Sequence, residues 1–313
     1  MNQLTENKIV LVTRRTRLDD LVARFNTVAQ AKFYVEHLGA DFSDYEREHE
    51  RYGRAVTEAE AELSALGRLQ TLRREFLPNF IFGRDDTVVV LGQDGLVANT
   101  VKYTAGQPVV GVNPDPERWD GVLLPFTVRD LRKIVPEVFA GRRKIKEVTM
   151  AKAELSDGQK LYAVNDFFIG VRSHVSARYT ISAGGREERQ SSSGIIVSTG
   201  LGSTGWFKSL MAGAISVVQS AAGNKNLKLT AREGFAWDAD WLYFTVREPF
   251  PSKSSAATLV FGKVTREEPL VVVSQTPESG VIFSDGVEKD FLEFNSGVRA
   301  TVTLAEKKGH LVV

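Results

Sequence analysis

The chain has 313 residues, with 40 Lys or Arg against 39 Asp or Glu, and its formal net charge is +1. This balance argues against a dedicated binder of nucleic acid or anionic membranes, because such proteins usually carry a strong basic excess. No cysteine is present, which excludes disulfides, zinc–thiolate sites, Fe–S clusters and thiol nucleophiles. The four scattered histidines do not indicate a metal site.

No apolar run approaches the roughly 20 residues that a membrane-spanning helix needs. The polar first eight residues also lack the basic and apolar regions of a secretory signal. We therefore expect a cytoplasmic globular protein with no membrane or nucleic-acid partner. At roughly 150 residues per domain, the length is typical of two domains or one large one.

The first part of the chain alternates apolar strand patterns with helical patterns. A strand, a glycine loop, a helix and a second strand from Thr87 to Asn113 form a βαβ unit, which predicts a parallel sheet. The predicted elements are a strand at Lys8–Thr13, a helix at Val28–Leu38, a helix from a capping box at Ser43–Glu46 to about Phe76, a strand at Thr87–Leu91, a helix at Leu96–Ala105, a strand at Pro108–Asn113 and a helix from Thr127 to Gly141.

From Arg142 onward the hydrophobic period changes toward 2, which is typical of strands. We expect an α/β domain over residues 1–141 and a β-rich domain over 142–313, whose last strand is a candidate to return to the first domain. The predicted strands of the second domain are Val148–Glu154, Leu161–Val171, Ala177–Ser182, Ile195–Thr199, Trp241–Val246, Thr258–Val264, Leu270–Ser274, Val281–Phe283 and Val298–Leu304.

The loop Gly92-Gln-Asp-Gly95 lies where a parallel strand ends and a helix begins, which is the usual ligand position in open α/β sheets. Helix N-terminal amides favour an anion such as phosphate there. A carboxylate beside phosphate is electrostatically costly, so Asp94 has two candidate roles: holding a divalent cation or accepting a proton from an attacking hydroxyl. A plain Asp-Gly turn is the alternative.

A second glycine loop, Gly200-Leu-Gly-Ser-Thr-Gly205, matches G-x-G-x-x-G after an apolar strand. A dinucleotide-binding Rossmann unit would also need an acidic residue about 20 positions later. The sequence Ser220–Asn226 supplies neither an acid nor an apolar strand, which argues against an oxidoreductase. A glycine and hydroxyl loop close to a nucleotide is the alternative interpretation.

Two short polar motifs follow apolar strands, and neither decides a function alone. Asn165-Asp166 offers an amide and a carboxylate to a ribose diol, or is ordinary turn material. Asp285-Gly286 follows Val281–Ser284 and also fits a hairpin turn.

In chain order these motifs resemble the NAD kinase family, which transfers a phosphoryl group from ATP to the adenosine ribose 2′-hydroxyl of NAD. That family carries Gly-Gly-Asp-Gly-Thr, Asn-Glu, Thr-Gly-Ser-Thr-Ala-Tyr and Asp-Gly. Gly111-Val-Asn-Pro-Asp-Pro116 is similar to a motif of a divergent branch of the family. The similar segments here are Gly92-Gln-Asp-Gly-Leu96, Asn165-Asp166, Leu201-Gly-Ser-Thr-Gly-Trp206 and Asp285-Gly286.

The resemblance implies an NAD kinase-like fold, Mg²⁺ with ATP, NAD as substrate, and a homodimer or homotetramer. Asp94 would accept the proton of the attacking hydroxyl. Asn165 and Asp166 would hold the adenosine part, with Asp166 accepting from a ribose hydroxyl, and Asp285 would support the substrate. The residues implied to bind the nucleotides are Gly92, Gln93, Gly95, Asn165, Asp166, Ser193, Thr204, Gly205, Trp206, Ser209 and Asp285.

The motifs also depart from the family pattern. Gln93 replaces a glycine, Leu96 a threonine, Trp206 a tyrosine, Ser193 an acidic residue, and Asp166 a glutamate. The leading hypothesis is an NAD kinase-like phosphotransferase. The alternatives are a kinase for another nucleoside or sugar acceptor, and a nucleotide-binding regulatory protein with altered or no kinase activity. NAD versus NADH, and ATP versus polyphosphate, stay open.

Overall fold

The structure is a computed structural model, and it describes residues 7–223, 234–287 and 289–313. The chain divides into two compact units. The first comprises Met1–Lys146 with His310–Val313, and the second comprises Glu147–Gly309.

The first unit is built on a parallel sheet whose strands run in the order β2, β1, β3, β4. The last residues of β16 (Arg299–Val312) pair in parallel with β4 through His310 and Leu311. The strands are β1 (Lys8–Thr13), β2 (Arg68–Arg73), β3 (Thr87–Leu91) and β4 (Pro108–Val112), and the helices are α1 (Arg17–Phe25), α2 (Val28–His37), α3 (Ser43–Leu66), α4 (Asp94–Val101) and α5 (Leu131–Phe139), with 3₁₀ turns at Arg74–Asn79 and Val128–Asp130.

Burial explains the first sheet. All residues of β3 are buried, as is nearly all of β1, which is the pattern of parallel strands covered on both faces. Helices α3 and α5 contribute Ala59, Leu63 and Leu131 to one core with these strands. A capping box is present at Thr127, near the predicted start of the last helix of this unit, since Asp130 accepts from the Thr127 amide and hydroxyl.

Two predictions about the region before β3 are wrong. The long helix ends at Leu66 instead of about Phe76, because residues 68–73 pair with β1 as the parallel strand β2. The capping box at Ser43 does not form, since the Ser43 hydroxyl donates to Asp41 and α3 has no side-chain cap. Helix α1 was not predicted, and α4 begins at Asp94, two residues before the predicted start.

The second unit is a sandwich of antiparallel strands. One sheet has the order β12, β11, β10, β7, β14, β15, and the other joins β9, β8, β13 and β16, with β5 paired to β16 and β6. The elements not yet given are β5 (Ile145–Leu155), β6 (Lys160–Ala163), β7 (Asp166–Val171), β8 (Ala177–Ala183), β9 (Arg186–Ser192), β10 (Ile195–Ser198), β11 (Leu242–Val246), β12 (Phe261–Val264), β13 (Leu270–Ser274), β14 (Gly280–Ser284), β15 (Phe291–Glu293), α6 (Trp206–Ala222) and a 3₁₀ turn at Gly202–Thr204.

The two faces of the six-stranded sheet have different partners. Phe167, Ile169 and Val197 point into the sandwich core. Phe168 and Ile196, on the opposite face, pack with Trp206 and Leu210 of α6. This alternation is the period of 2 that the sequence shows.

The strand predicted as Leu161–Val171 is two strands, β6 and β7, separated at Val164 and Asn165. Strands β9 and β15 were not predicted, and β16 continues eight residues beyond the predicted end at Leu304. Within the ranges that the structure describes, no helix is both long and apolar enough to span a membrane.

Candidate functional site

The loop Gly92–Gly95 is attached to the carboxyl end of the parallel sheet. The Tyr52 hydroxyl donates to the Leu91 carbonyl at 2.9 Å and accepts from the Arg14 amide at 2.9 Å. Burial raises the pKa of Tyr52 to about 12, so this phenol stays neutral and can make both bonds. The Gly92 amide donates to the Val112 carbonyl of β4. These bonds tie the ends of β1, β3 and β4 together around the loop.

Asp94 is the first residue of α4, and backbone amides orient its carboxylate. Oδ1 accepts from the Leu123 amide at 2.8 Å and Oδ2 from the Val122 amide at 3.2 Å. A carboxylate oxygen can accept two hydrogen bonds, so each oxygen keeps capacity for a ligand. Gly95 has no atom within 4 Å of an added Cβ, which leaves the first turn of α4 open beside Asp94.

The segment that supplies these amides is held by its own contacts within the first unit. Asn113 donates to the Trp119 carbonyl and accepts from the Asp115 amide. Arg118 makes a bidentate pair with Asp44 at 2.9 and 2.8 Å. Hydrogen bonds from Arg118 and Arg17 hold the pKa of Asp44 well below its usual range, so this acid stays ionised as an anchor for the segment.

In the second unit, the Asp285 side chain accepts hydrogen bonds from the backbone amides at the break between β6 and β7. Its carboxylate accepts from the amides of Val164 at 3.1 Å, Asn165 at 2.6 Å and Asp166 at 3.4 Å. Asp285 has a positive φ of 54°, and its own amide donates to the Asp166 carbonyl at 3.0 Å. The structure therefore brings Asn165, Asp166 and Asp285 together.

Asp166 opens β7 and is only 9% exposed. Its carboxylate receives no hydrogen bond from the described residues, since the nearby amides serve Asp285. Burial, followed by the charge of Asp285, raises the pKa of Asp166 to about 7.

The loop of residues 199–205 is packed against the Asn165 segment. A Cβ on Gly202 would lie 2.0 Å from the Asn165 carbonyl oxygen, and one on Gly200 would lie 1.9 Å from that of Ala236. These glycines are required by backbone packing, which accounts for the G-x-G-x-x-G match without a phosphate.

The polar residues around Gly205 face outward. Thr204 and Gly205 are exposed, and the Thr204 hydroxyl donates to the Leu201 carbonyl. The Ser209 hydroxyl donates to the Gly205 carbonyl at 3.4 Å. Neither hydroxyl contacts Asn165, Asp166 or Asp285 in the described hydrogen bonds.

A cavity of about 640 Å³ lies on the outer face of the six-stranded sheet. Its wall contains two predicted residues, Ser193 and Trp206. Trp206 stacks on Phe168, with ring centroids 6.1 Å apart, and Phe168 stacks on Phe283 at 4.9 Å. The result is a stack of near-parallel aromatic rings, beside which a planar base could pack.

Two arginines line this cavity, and one of them, Arg247, lies 3.9 Å from the carboxylate of Glu248. The Arg247 guanidinium lies 5.6 Å from the Trp206 ring centre, and that of Arg172 lies 3.8 Å from the Phe291 ring. Both line the cavity with His174 and Glu248. Sequence reasoning missed the arginines because each follows a strand end without any motif. The position of Arg172 directly after the apolar strand that begins at Asp166 was the one available signal.

Among the described residues there is no group of three or more His, Asp or Glu placed to hold a metal ion. Mg²⁺ in phosphoryl-transfer sites usually keeps several waters and uses one or two carboxylates plus substrate phosphates. Asp94, with acceptor capacity left on both oxygens, fits that mode of binding.

Comparison with known proteins supports the fold. No family model and no curated protein sequence matches the chain. A solved structure of yeast NADH kinase in complex with NADH is 16% identical, with a TM-score of 0.58, over 99% of this chain and 84% of that one. An NAD kinase from Archaeoglobus fulgidus in complex with ATP is 15% identical, with a TM-score of 0.56, over 98% and 93%. The fold predicted from the motifs, NAD kinase-like with an α/β unit and a β-rich unit, is confirmed.

Proposed function

We propose that this chain is a phosphotransferase that moves the γ-phosphoryl group of ATP to the adenosine ribose 2′-hydroxyl of NAD or NADH. The observation that carries the proposal is Asp94 at the first turn of α4, oriented by two backbone amides beside the open Gly95. A fold shared with NAD(H) kinases and an aromatic, arginine-lined cavity in the second unit support the choice of nucleotide.

Asp94 would act as the general base. Its carboxylate accepts the proton of the ribose hydroxyl as the oxygen attacks the γ-phosphorus and the bond to the β-phosphate oxygen breaks. A positioned base contributes roughly 10²–10⁴ in rate. Because the Val122 and Leu123 amides hold the carboxylate, little reorientation is needed before the transfer.

The donor phosphates would lie against the first turn of α4, where Gly92, Gln93 and Gly95 form the loop and the helix dipole favours an anion. Mg²⁺ bound to those phosphates would neutralise part of their charge, and Asp94 is the residue that would help to hold it. The Gln93 side chain does not cap α4, so its side-chain amide could donate to a phosphate oxygen.

The second unit would hold the acceptor. Asn165 and Asp166 would bind the nucleoside, supported by Asp285, and Trp206 would stack on a planar ring. Ser193, Thr204, Gly205 and Ser209 would line the remaining surface. The guanidinium groups of Arg172 and Arg247 suit the pyrophosphate of a dinucleotide.

Product mass after incubation with Mg-ATP and either NAD or NADH tests this proposal. We expect a product heavier by one phosphoryl group with the wild type and no such product with Asp94→Ala. The matched control Asp120→Asn should keep the product, because Asp120 is an exposed residue of the segment that supplies the Val122 and Leu123 amides. No product with ATP or polyphosphate, despite nucleotide binding, would contradict the kinase.

One observation favours the second candidate, a nucleotide-binding regulatory protein. Leu96 stands where the family carries a threonine, so the loop lacks that hydroxyl. The Leu96 side chain is buried and lies 2.7 Å from an added Gly92 Cβ. Tight binding of NAD with no phosphoryl product under any donor would favour this candidate.

A further inference from the structure

Asp166 and Asp285 are neighbouring acids in the second unit, and Asp166 is the one without a hydrogen-bond donor among the described residues. It is nine-tenths buried, and no described residue donates a hydrogen bond to its carboxylate. Side chains alternate along β7, so Asp166 lies on the same face as Phe168, whereas Phe167 points into the sandwich core. The carboxyl group therefore belongs to the face that carries the aromatic surface of Phe168, Trp206 and Phe283.

Asp285 explains why this carboxyl lacks donors. It accepts from the amides of Val164, Asn165 and Asp166, which are the donors closest to Asp166 in the chain. Asp285 is thereby stabilised as an anion. A second carboxylate buried beside it is disfavoured, because like charges and desolvation both oppose ionisation.

Among the described residues, no cation of the elements packed against Asp166 forms an ion pair with its carboxyl group. Ser198 of β10 pairs with it, Asp285 follows β14, and the loop of residues 199–205 has no charged residue. The turn after Asp285 carries an exposed Lys289 and a half-buried Asp290.

The cations that lie on, or directly follow, the described strands of this face are distant from Asp166. Arg172 lies six residues along the chain, about 20 Å at the rise of a strand, and Lys263 lies three strands away, about 14 Å. On β11, Tyr243 is the residue level with Asp166. Arg247 lies four residues beyond Tyr243, which is about 13 Å along the strand.

We propose that Asp166 binds its ligand as a neutral carboxylic acid, whose hydroxyl donates to, and whose carbonyl accepts from, a planar edge with adjacent acceptor and N–H groups. The edge of adenine and the carboxamide of nicotinamide both have this chemistry. The inference rests on the proposed nucleotide function, and it differs from the acceptor role toward a ribose hydroxyl that the family resemblance implies.

The neutral acid matches such an edge with two hydrogen bonds, because a protonated carboxyl offers one donor and one acceptor. The ionised form is an acceptor only and would leave the ligand's acceptor facing a negative charge. Burial holds the pKa of Asp166 near 7, so the neutral form is populated up to neutral pH. Affinity should then fall roughly 30-fold between about pH 6 and about pH 8.5.

Calorimetric titration across this pH range tests the inference, using NAD, adenosine 5′-monophosphate and nicotinamide mononucleotide as probes. We expect wild-type affinity to fall with rising pH, and the Asp166→Asn variant, which keeps a donor and an acceptor, to bind without pH dependence. The matched control Asp157→Asn, an exposed carboxylate in the β5–β6 turn, should keep the wild-type profile. The mononucleotide that shows the pH dependence identifies the edge.

Wild-type affinity that is constant or rises with pH would overturn this inference alone, as would a ¹³C carboxyl titration of Asp166 with a midpoint near 4. Absence of binding of all three probes at every pH would overturn the proposed function, and the ligand assigned to Asp166 with it. Thermal unfolding of each variant at the pH of each titration separates a binding defect from a folding defect.

Discussion

Two loops join a strand to a helix, and they require glycine for different reasons. In the first unit, Gly95 borders open space beside α4. In the second unit, Gly200 and Gly202 lie so close to backbone carbonyls that a Cβ would approach within 1.9 and 2.0 Å. The glycine of the first loop leaves room for a ligand, whereas those of the second loop allow close packing of the chain on itself.

The carboxylates beside these loops differ in the same way. Asp94 accepts two backbone amides, from Val122 and Leu123. Asp166 accepts none from the described residues, because Asp285 takes the amides around it. Burial and the nearby charge of Asp285, with no N–H group of the described residues left to stabilise the anion, therefore favour the neutral form of Asp166.

The largest expected effect is on the chemistry assigned to Asp94. Asp94→Asn should lower kcat roughly 10²–10⁴-fold, because the amide cannot take the hydroxyl proton. The dissociation constant for NAD should not change, since this side chain is assigned to the chemical step. Steady-state kinetics with Mg-ATP measure the first quantity and calorimetry the second. Equal kcat in the variant and the wild type would remove Asp94 from the mechanism.

The second effect concerns Asp166 and the stability of the protein. Its pKa is about 7 in the folded chain against 3.8 for the free side chain. The unfolded chain therefore releases this proton first as pH rises. The free energy of unfolding should therefore fall by up to about 4 kcal/mol as the pH rises from the lower of these pKa values to the higher.

Urea denaturation of wild type and Asp166→Asn at several pH values checks this expectation. The variant should lack the part of the pH dependence that comes from Asp166. If both proteins show the same slope over this range, Asp166 ionises in the folded state as easily as in the unfolded one.

Gly202→Ala tests the packing role of the second loop. The added methyl group would overlap the Asn165 carbonyl oxygen, so we expect a loss of about 3 kcal/mol in the free energy of unfolding. Gly213→Ala is the matched control, because Gly213 lies in α6 with nothing within 4 Å of an added Cβ. A Gly202→Ala variant as stable as wild type would show that the loop can move away from Asn165.

Trp206→Ala should weaken nucleotide binding by about 0.5–1.5 kcal/mol, the usual contribution of an aromatic pair. Trp206→Phe keeps the ring and the contact with Phe168, and it should bind close to wild type. Calorimetric titration with NAD measures both. Loss of affinity in both variants would mean that the indole N–H, and not the ring face, contacts the ligand.

The smallest effect distinguishes the two kinds of glycine directly. Gly95→Ala should raise the free energy of unfolding by about 0.5–1 kcal/mol, because alanine favours a helix. The same change should weaken Mg-ATP binding if phosphates approach this turn, whereas Gly213→Ala should be stabilised without any effect on Mg-ATP. Thermal unfolding and ATP titration of the two variants provide the comparison.

Several elements could be predicted because they depend on local patterns. Strands β1, β3 and β4 are compact apolar runs, and the first two motif loops lie between a strand and a helix, as expected. Strand β2 could not be predicted, because its residues are mostly exposed and form a strand only by pairing with β1. Strands β9 and β15 are likewise short or polar and depend on their neighbours.

The candidate site divides along the same line. The order of the motifs in the chain, through their resemblance to the NAD kinase family, was enough to nominate Asp94, Asp166, Trp206 and Asp285. Only the tertiary structure assigned the amides of residues 164–166 to Asp285 and placed Arg247 over Trp206. These contacts join residues far apart in the chain. The protonation of Asp166 and the charge along the cavity wall therefore depend on the folded arrangement.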